Sequence, residues 1–405
     1  MHYRINLIFI LGALSLHCFA TEVSMPVEGE LQRMDSLSYA QFQNHAWKDL
    51  MHTGIEAKAK GISFFYLDFR IGIAYFNTHM YRKALSYFER CYFLDFNNED
   101  LNAYLYYCYL YCEEFDRAFA LKPTHRLSLL EFTGGDKLSS NTAKFGDLHF
   151  TSLASNTQVR KNNALYVNAS YLNQSQFYGN LQGKSTTYAL MTQGQVFAGY
   201  QIPFSHWWKL ELAGHGLYYD LKSSVNGFSS SAQLAGLGSI QLSHAESTYN
   251  VYLTQTVGNL NLKTQIEHGL GIIGYPIKNN SFKIEAKAFS HSQDLERTTH
   301  LIFTGSIAWR PSKYVDFRLL YAYVNCTNTI EENGLLVNNA ADLLKTKSNF
   351  SGTIYCGKKI GITLLFQYEE RLGNYYFYDY NSLYRQSKST TYFMSTGMLG
   401  LKWFL

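Results

Sequence analysis

The chain has 405 residues, and aromatic and charged residues each make up 16% of it. A soluble domain usually carries about 25% charged residues, but the mean hydropathy is only −0.19, which does not fit the long apolar runs of a polytopic helical membrane protein. The net charge of +4 and the abundant aromatics exclude a disordered chain, leaving a Tyr-rich soluble protein or a transmembrane β-barrel whose apolar residues are hidden by alternation.

Residues 1–20 read as a secretory signal peptide. His2 and Arg4 form the basic start, Ile5 to Leu16 the apolar stretch, and Cys18-Phe19-Ala20 a small-x-small site cut before Thr21. His17 stands where a lipoprotein signal would hold a small residue, so Cys18 is not taken as a lipid anchor. The five remaining cysteines, Cys91, Cys108, Cys112, Cys326 and Cys356, are odd in number and lack framework spacing. Cys91, Cys108 and Cys112 read as small core residues, with a Cys91–Cys108 bridge between helices as the alternative.

Residues 21–125 are predicted to be a helical domain. Ile71, Tyr75 and Ala84 recur as Leu105, Tyr109 and Ala118, each 34 residues later, and 34 is the tetratricopeptide (TPR) period. Gly72 and Ala84 are small where two helices approach closely, with Tyr75 and Phe88 filling the space between. Residues 65–98 make one good repeat, 99–122 a fair one, and 36–60 with Trp47 a degenerate leading pair. The inner-helix positions Tyr66, Phe69, Ile73, Phe76, Tyr107 and Tyr111 are the candidate groove for a protein partner. The alternative is that they pack against the barrel mouth or a neighbouring helix.

After Pro123 the apolar period changes from 3.6 to 2. Leu301, Phe303, Gly305, Ile307 and Trp309 alternate with more polar neighbours, as do Val315, Phe317, Leu319 and Tyr321. Strands are expected near 146–156, 163–177, 186–201, 207–221, 230–244, 247–257, 263–276, 281–291, 298–310, 313–325, 348–357, 359–371 and 389–405. A segment over 126–132, followed by the turn-like Gly134-Gly135-Asp136, supplies one more. The total is 14, with 12 as the alternative if 126–156 is a linker or plug. An even number returns the chain to the side from which the helical domain leads in. Short turns alternate with the longer loops 222–229, 259–262, 291–297, 327–347 and 372–388, as in outer-membrane barrels. Trp207, Trp208, Trp309 and Trp403 fall at the short-turn ends of strands. Tyr218, Tyr219, Tyr321, Tyr323, Tyr375, Tyr376, Tyr378 and Tyr380 fall at the other ends. Two bilayer interfaces select two such bands. The expected fold is therefore a short TPR-like helical array followed by an antiparallel outer-membrane β-barrel over 126–405.

The chain closes on Gly400-Leu401-Lys402-Trp403-Phe404-Leu405. Gly400, Trp403 and Leu405 are similar to the terminal signal of bacterial outer-membrane barrels, with Leu where that family prefers Phe. The resemblance implies handling by the barrel-assembly machinery. A signal peptide, TPR-like units and a C-terminal barrel together resemble the TPR-plus-barrel proteins of Gram-negative envelopes, among them surface-lipoprotein translocators and exopolysaccharide-associated barrels. That implies a place in the outer membrane, in contact with its lipid, with the N-terminal domain in the periplasm.

No catalytic, cofactor or metal motif is expected: there is no CxxC, no Walker sequence and no paired metal-ligating histidines. Ser243-His244 and Ser290-His291 are adjacent on strands and so point to opposite faces, which argues against an enzyme. Nucleic acid is not expected, since there is no basic run. Residues 126–405 hold 24 Lys+Arg against 17 Asp+Glu, a balance of +7, whereas 21–125 hold 10 against 14, a balance of −4. Lys209, Glu211, Lys283, Glu285, Lys287, Asp316 and Arg318 are expected to line the lumen, with Glu267, Arg310, Glu369 and Lys402 beside them. They form either a polar conduit or a set of paired charges plugging it. The first reading makes the protein a channel or translocation protein whose TPR domain recruits a partner. The second makes it a structural or adhesive envelope protein acting through its outer loops.

Overall fold

Five helices precede the sheet in the computed structural model, which describes residues 28–404 apart from 113, 115–116, 119–120, 122–127 and short stretches within the strand connections. The expected leader and Leu405 lie outside the described residues. The helices are α1 (Glu28–Gln43), α2 (Trp47–Ala59), α3 (Phe65–Asn77), α4 (Tyr81–Leu94) and α5 (Glu99–Tyr111). Each packs on the next in the chain, and α3 also touches α1 and α5. Met34, Leu50, Leu67, Leu85, Phe88, Leu101 and Leu105 are fully enclosed between them. Gly72 is small because the Phe88 ring occupies its side of α3: an added Cβ would lie 2.5 Å from Phe88 Cε1.

Several helices close in the same way. The backbone N–H of Ala46 donates to Gln41 O, that of Met80 to Tyr75 O and that of Glu114 to Tyr109 O, each at 2.9 Å. The donors at 46, 80 and 114 stand 34 residues apart, and the N–H of Ile62 makes the same six-to-one bond to Ala57 O at 2.9 Å at the end of α2. At the first two sites the preceding residue is a left-handed histidine, His45 at φ 52° and His79 at φ 60°, which is the geometry of a Schellman cap.

A closed antiparallel barrel of fourteen strands follows. Its strands are β1 (Ser128–Ser139), β2 (Phe145–Gln158), β3 (Ala164–Gly179), β4 (Thr186–Pro203), β5 (Trp208–Ser223), β6 (Ser229–Ala245), β7 (Tyr249–Leu260), β8 (Lys263–Gly274), β9 (Phe282–Gln293), β10 (His300–Ser312), β11 (Val315–Cys326), β14 (Leu343–Cys356), β15 (Ile360–Tyr378) and β16 (Arg385–Phe404). The connection from β11 to β14 carries a two-stranded hairpin, β12 (Thr329–Glu331) and β13 (Leu336–Asn338). Closure is between the first and last strands, from Leu129 opposite Phe404 to Ser139 opposite Met394.

Alternation places the apolar set outside. On β10, Leu301, Phe303, Ile307 and Trp309 are exposed, while Ile302 and Ser306 between them are buried. Similar rows run round the barrel from Leu130 on β1 to Leu399, Leu401 and Trp403 on β16. An apolar surface on this scale is a lipid-facing belt, not a soluble exterior. Trp208, Trp309 and Trp403 sit at the strand ends nearest the helices, and Tyr321 and Tyr323 towards the opposite ends.

Two expectations need correction. Gly134-Gly135-Asp136 do not turn the chain: they lie within β1, paired with Leu399, Met398 and Gly397. Gly135 is needed because a Cβ there would stand 2.2 Å from Gly397 O; the two seam strands approach closely at that point. The loops 327–347 and 372–388 are also shorter than expected, because β14, β15 and β16 run into them. A bilayer needs only about ten residues per strand, whereas β16 has 20; the longest strands project beyond the membrane.

Candidate functional site: the lumen and its two ends

Every lumen candidate from the sequence falls on the inward face, and most are paired there. Glu285 on β9 is a hub. Its carboxylate accepts from Tyr252 Oη at 2.9 Å and Ser306 Oγ at 3.1 Å, and it meets Lys287 at 3.1 Å and Arg318 at 3.0 Å. Tyr252 reaches Glu285 by lying across β8, where Gly271 has no side chain: a Cβ there would be 2.2 Å from the ring. Asp316 accepts from Arg310 Nη2 at 3.1 Å and Tyr355 Oη at 2.6 Å. Glu211 accepts from Gln201 Nε2 at 2.9 Å. Lys402 lies 3.7 Å from Glu131 across the seam.

The part of the lumen away from the helices is more tightly packed. Glu369, 3% exposed, is held by Lys137 at 2.7 Å and Arg371 at 2.6 Å. Farther round the wall, on β8 and β9, Glu267 lies 3.3 Å from His291, both buried. Ser290 and Ser243 stand on the opposite wall face from their neighbours His291 and His244, so neither adjacent pair can act together. Among the described residues no group of three or more His, Cys, Asp or Glu is placed to hold a metal ion.

The hairpin β12–β13 lies inside the segment 327–347 that was expected to be a loop. Ile330 on β12 is 2% exposed and clusters with Leu217, Leu237 and Leu260 of β5, β6 and β7. Those strands are not neighbours of β11 or β14, so the hairpin folds inward and crosses the lumen. Its stem is tied to β9, where Gln293 Nε2 donates to Thr327 O at 2.7 Å. The signal in the sequence was Asn333-Gly334, a hairpin-turn dipeptide, between Ile330 and the apolar Leu335-Leu336-Val337 in an otherwise polar loop. Lys137, Arg371 and Lys347, which complete the charge cluster at Glu369, were missed.

At the other end the helices sit against the barrel rim. Arg82 on α4 places its guanidinium 3.3 Å from the centre of the Tyr275 ring. Arg117 Nη2 donates to Ala245 O at 3.3 Å, and Phe93 stacks on Trp207 at 5.0 Å. A cavity of about 200 Å³ lies between module and rim, lined among others by Arg82, Arg117, Lys209, Lys283, Glu114 and Glu246. Lys209 and Lys283 thus stand where the lumen opens towards the helices.

The candidate groove residues are not equivalent. Tyr66, Tyr107 and Tyr111 are exposed, and Tyr111 stacks on Tyr81 at 4.3 Å. Phe69 and Phe76 are half-buried against Tyr104. Ile73 is 6% exposed and belongs to the helical core. Of the terminal signal, Trp403 points outward, and Gly400 faces in between Thr133 and Thr363. Among the described residues Cys91, Cys108, Cys112, Cys326 and Cys356 are not joined in disulfides. Burial pushes the Cys91 thiol up to about 12 and Cys108 well above its ordinary value.

No protein-family model matches the chain, and no curated protein matches it. Among solved structures it is similar to the Pseudomonas putida toluene transporter TodX, at 10% identity over 71% of this chain and 91% of that one, with a TM-score of 0.46. It is similar to a Pseudomonas aeruginosa FadL homologue at 7% identity over 71% and 91%, with a TM-score of 0.48. The translocator domain of autotransporter NalP from Neisseria meningitidis matches at 9% identity over 69% and 88%, with a TM-score of 0.33. Likeness at this level says nothing about what passes through the barrel.

Proposed function

We propose that the chain forms a gated passage across a bacterial outer membrane, with its helical module on the periplasmic side as a TPR-like array that recruits a protein partner. The observation that carries the passage is the inward hairpin: Ile330 is buried against the far wall, on strands that are not its sheet neighbours. The described contacts of the hairpin with the wall include this apolar cluster and Gln293, which donates to Thr327 O at 2.7 Å and to Thr327 Oγ1 at 3.1 Å, and such contacts can break without unfolding a barrel strand. The lumen beneath it is lined by charges and hydroxyls rather than by a continuous apolar core, which suits passage of a polar solute or chain.

The TPR-like reading is supported by the closing bond that recurs at 46, 80 and 114. Tyr66, Tyr107 and Tyr111 supply exposed aromatic surface of the kind that dominates protein interfaces.

The test is conductance in planar bilayers. The full chain is expected to be mostly closed, and deletion of residues 329–338 to open it. Removal of residues 21–125 is expected to leave conductance and abolish partner capture. Silence from the hairpin deletion as well as from the full chain would overturn the passage and favour a plugged structural or adhesive barrel.

A further inference from the structure

Three large apolar side chains at the end of α4 have no place in the helical core. Phe93 is 58% exposed, Leu94 63% and Phe96 62%. They lie beside the barrel rim, because the Phe93 ring stacks on Trp207 at 5.0 Å and an interplanar angle of 30°. Trp207 belongs to the β4–β5 turn, which also presents Phe204 at 60% exposure. Trp208, the first residue of β5, sits among the outward aromatics with its ring 4.6 Å from His244. The other end of α4 is pinned at Tyr275 by Arg82. The helix therefore runs along the rim from the β8–β9 turn to the β4–β5 turn, and its apolar end continues the aromatic band of the barrel.

We propose that Phe93, Leu94 and Phe96 dip into the phospholipid leaflet at this rim and tether the helical module to the bilayer as well as to the barrel. Aromatic side chains favour the headgroup level of a membrane, and the patch is continuous with residues already placed there. The surface it fits is zwitterionic. Asp95, Glu99 and Asp100 flank the three apolar residues, and carboxylates beside the contact disfavour anionic headgroups. Asp95 also shapes the turn, accepting from the Asn97 backbone N–H at 3.2 Å. A module tethered in this way keeps a fixed height over the mouth while the opposite face of the array stays open to a partner. The inference rests on the barrel spanning the membrane.

The experiment uses the full chain in phosphatidylcholine nanodiscs, with Cys356→Ser removing the exposed thiol. A fluorophore is attached at Phe96→Cys and, in separate samples, at Leu399→Cys on the belt and Ile55→Cys on α2. Nitroxide lipid labelled near the headgroup is expected to quench the Phe96→Cys probe by about twofold more than the Ile55→Cys probe. Aqueous iodide is expected to show the reverse order, and added phosphatidylglycerol to reduce the lipid quenching at residue 96. A Phe96→Cys probe reached by iodide as freely as the one at residue 55 overturns the tether. So does a probe shielded from both quenchers, which means that protein covers the patch. Loss of lipid quenching at Leu399→Cys as well overturns the membrane-spanning reading itself, so the two failures are distinguishable.

Discussion

The guanidinium of Arg82 lies 3.3 Å from the centre of the Tyr275 ring, while its Nη1 donates to Glu114 at 3.0 Å and its Nη2 to Cys112 O at 3.3 Å. One side chain, 2% exposed, thus ties α4, the end of α5 and the β8–β9 turn together. Arg82→Ala is expected to weaken docking of the module by about 2 kcal/mol, the range of a desolvated cation–π contact. Hydrogen exchange should rise in α4 and α5 and stay unchanged in the barrel strands. Equal loosening of both, or of neither, would show that this contact does not hold the module.

Glu369 is the anion that pairs the buried cations of the lumen at Lys137 and Arg371. Without its charge, Lys137 and Arg371 face each other beside the buried Lys347. Glu369→Gln should destabilise the barrel by about 3–5 kcal/mol, the cost of leaving a buried ion unpaired. The temperature at which the folded band is lost in gel electrophoresis checks it, and Lys137→Met in the same chain should restore part of the loss.

The seam offers a paired test. Gly135→Val would press a side chain onto the Gly397 carbonyl, backbone that cannot yield, and should block closure and membrane insertion. Gly134→Val on the same strand meets nothing nearer than 3.7 Å and should insert normally. Insertion yield decides, and equal yields would remove the steric explanation.

The thiols should report the core. With Cys91 and Cys108 raised by burial and Cys112 and Cys326 enclosed, maleimide at neutral pH should modify Cys356 alone among the five, and the rest only after denaturation. Reaction at Cys91 in the native chain would mean that α4 opens far more often than its packing allows.

Asp68 gives a pH dependence of known sign. Burial pushes its carboxyl above the usual 3.8, against the opposing hydrogen bond from Ser63 and the charge of Arg90. The folded chain then keeps a proton that the unfolded chain has lost, so stability falls as pH rises from 3.8 through the folded value. Hydrogen exchange in α3 should speed up over that window beyond its intrinsic pH effect, and Asp68→Asn should flatten the trend.

Much of this architecture could be read in advance because it rests on local period. The helical domain was legible in its 3.6-residue apolar period, with Gly72 small where the Phe88 ring approaches it. Strand positions followed from period two, and the inward set at Lys283, Glu285 and Lys287 came with them. Gly135 was misread because a glycine needed for close strand approach looks, in one dimension, like a glycine needed for a turn. Ile73 was placed on the groove by helical position, yet the neighbouring helices enclose it.

The sequence by itself determined that the chain is a helical array followed by a membrane-type barrel, and which side chains share a face, because periodicity is set by backbone geometry alone. Only the tertiary structure decided what those faces meet. It turned the β12–β13 hairpin inward onto Leu217, Leu237 and Leu260, joined Glu369 to a lysine 232 residues away, and laid α4 along the rim. Such contacts depend on strand register, barrel closure and the docking of one module on another. These are set by the sum of many weak terms across the whole chain, and no local pattern records them.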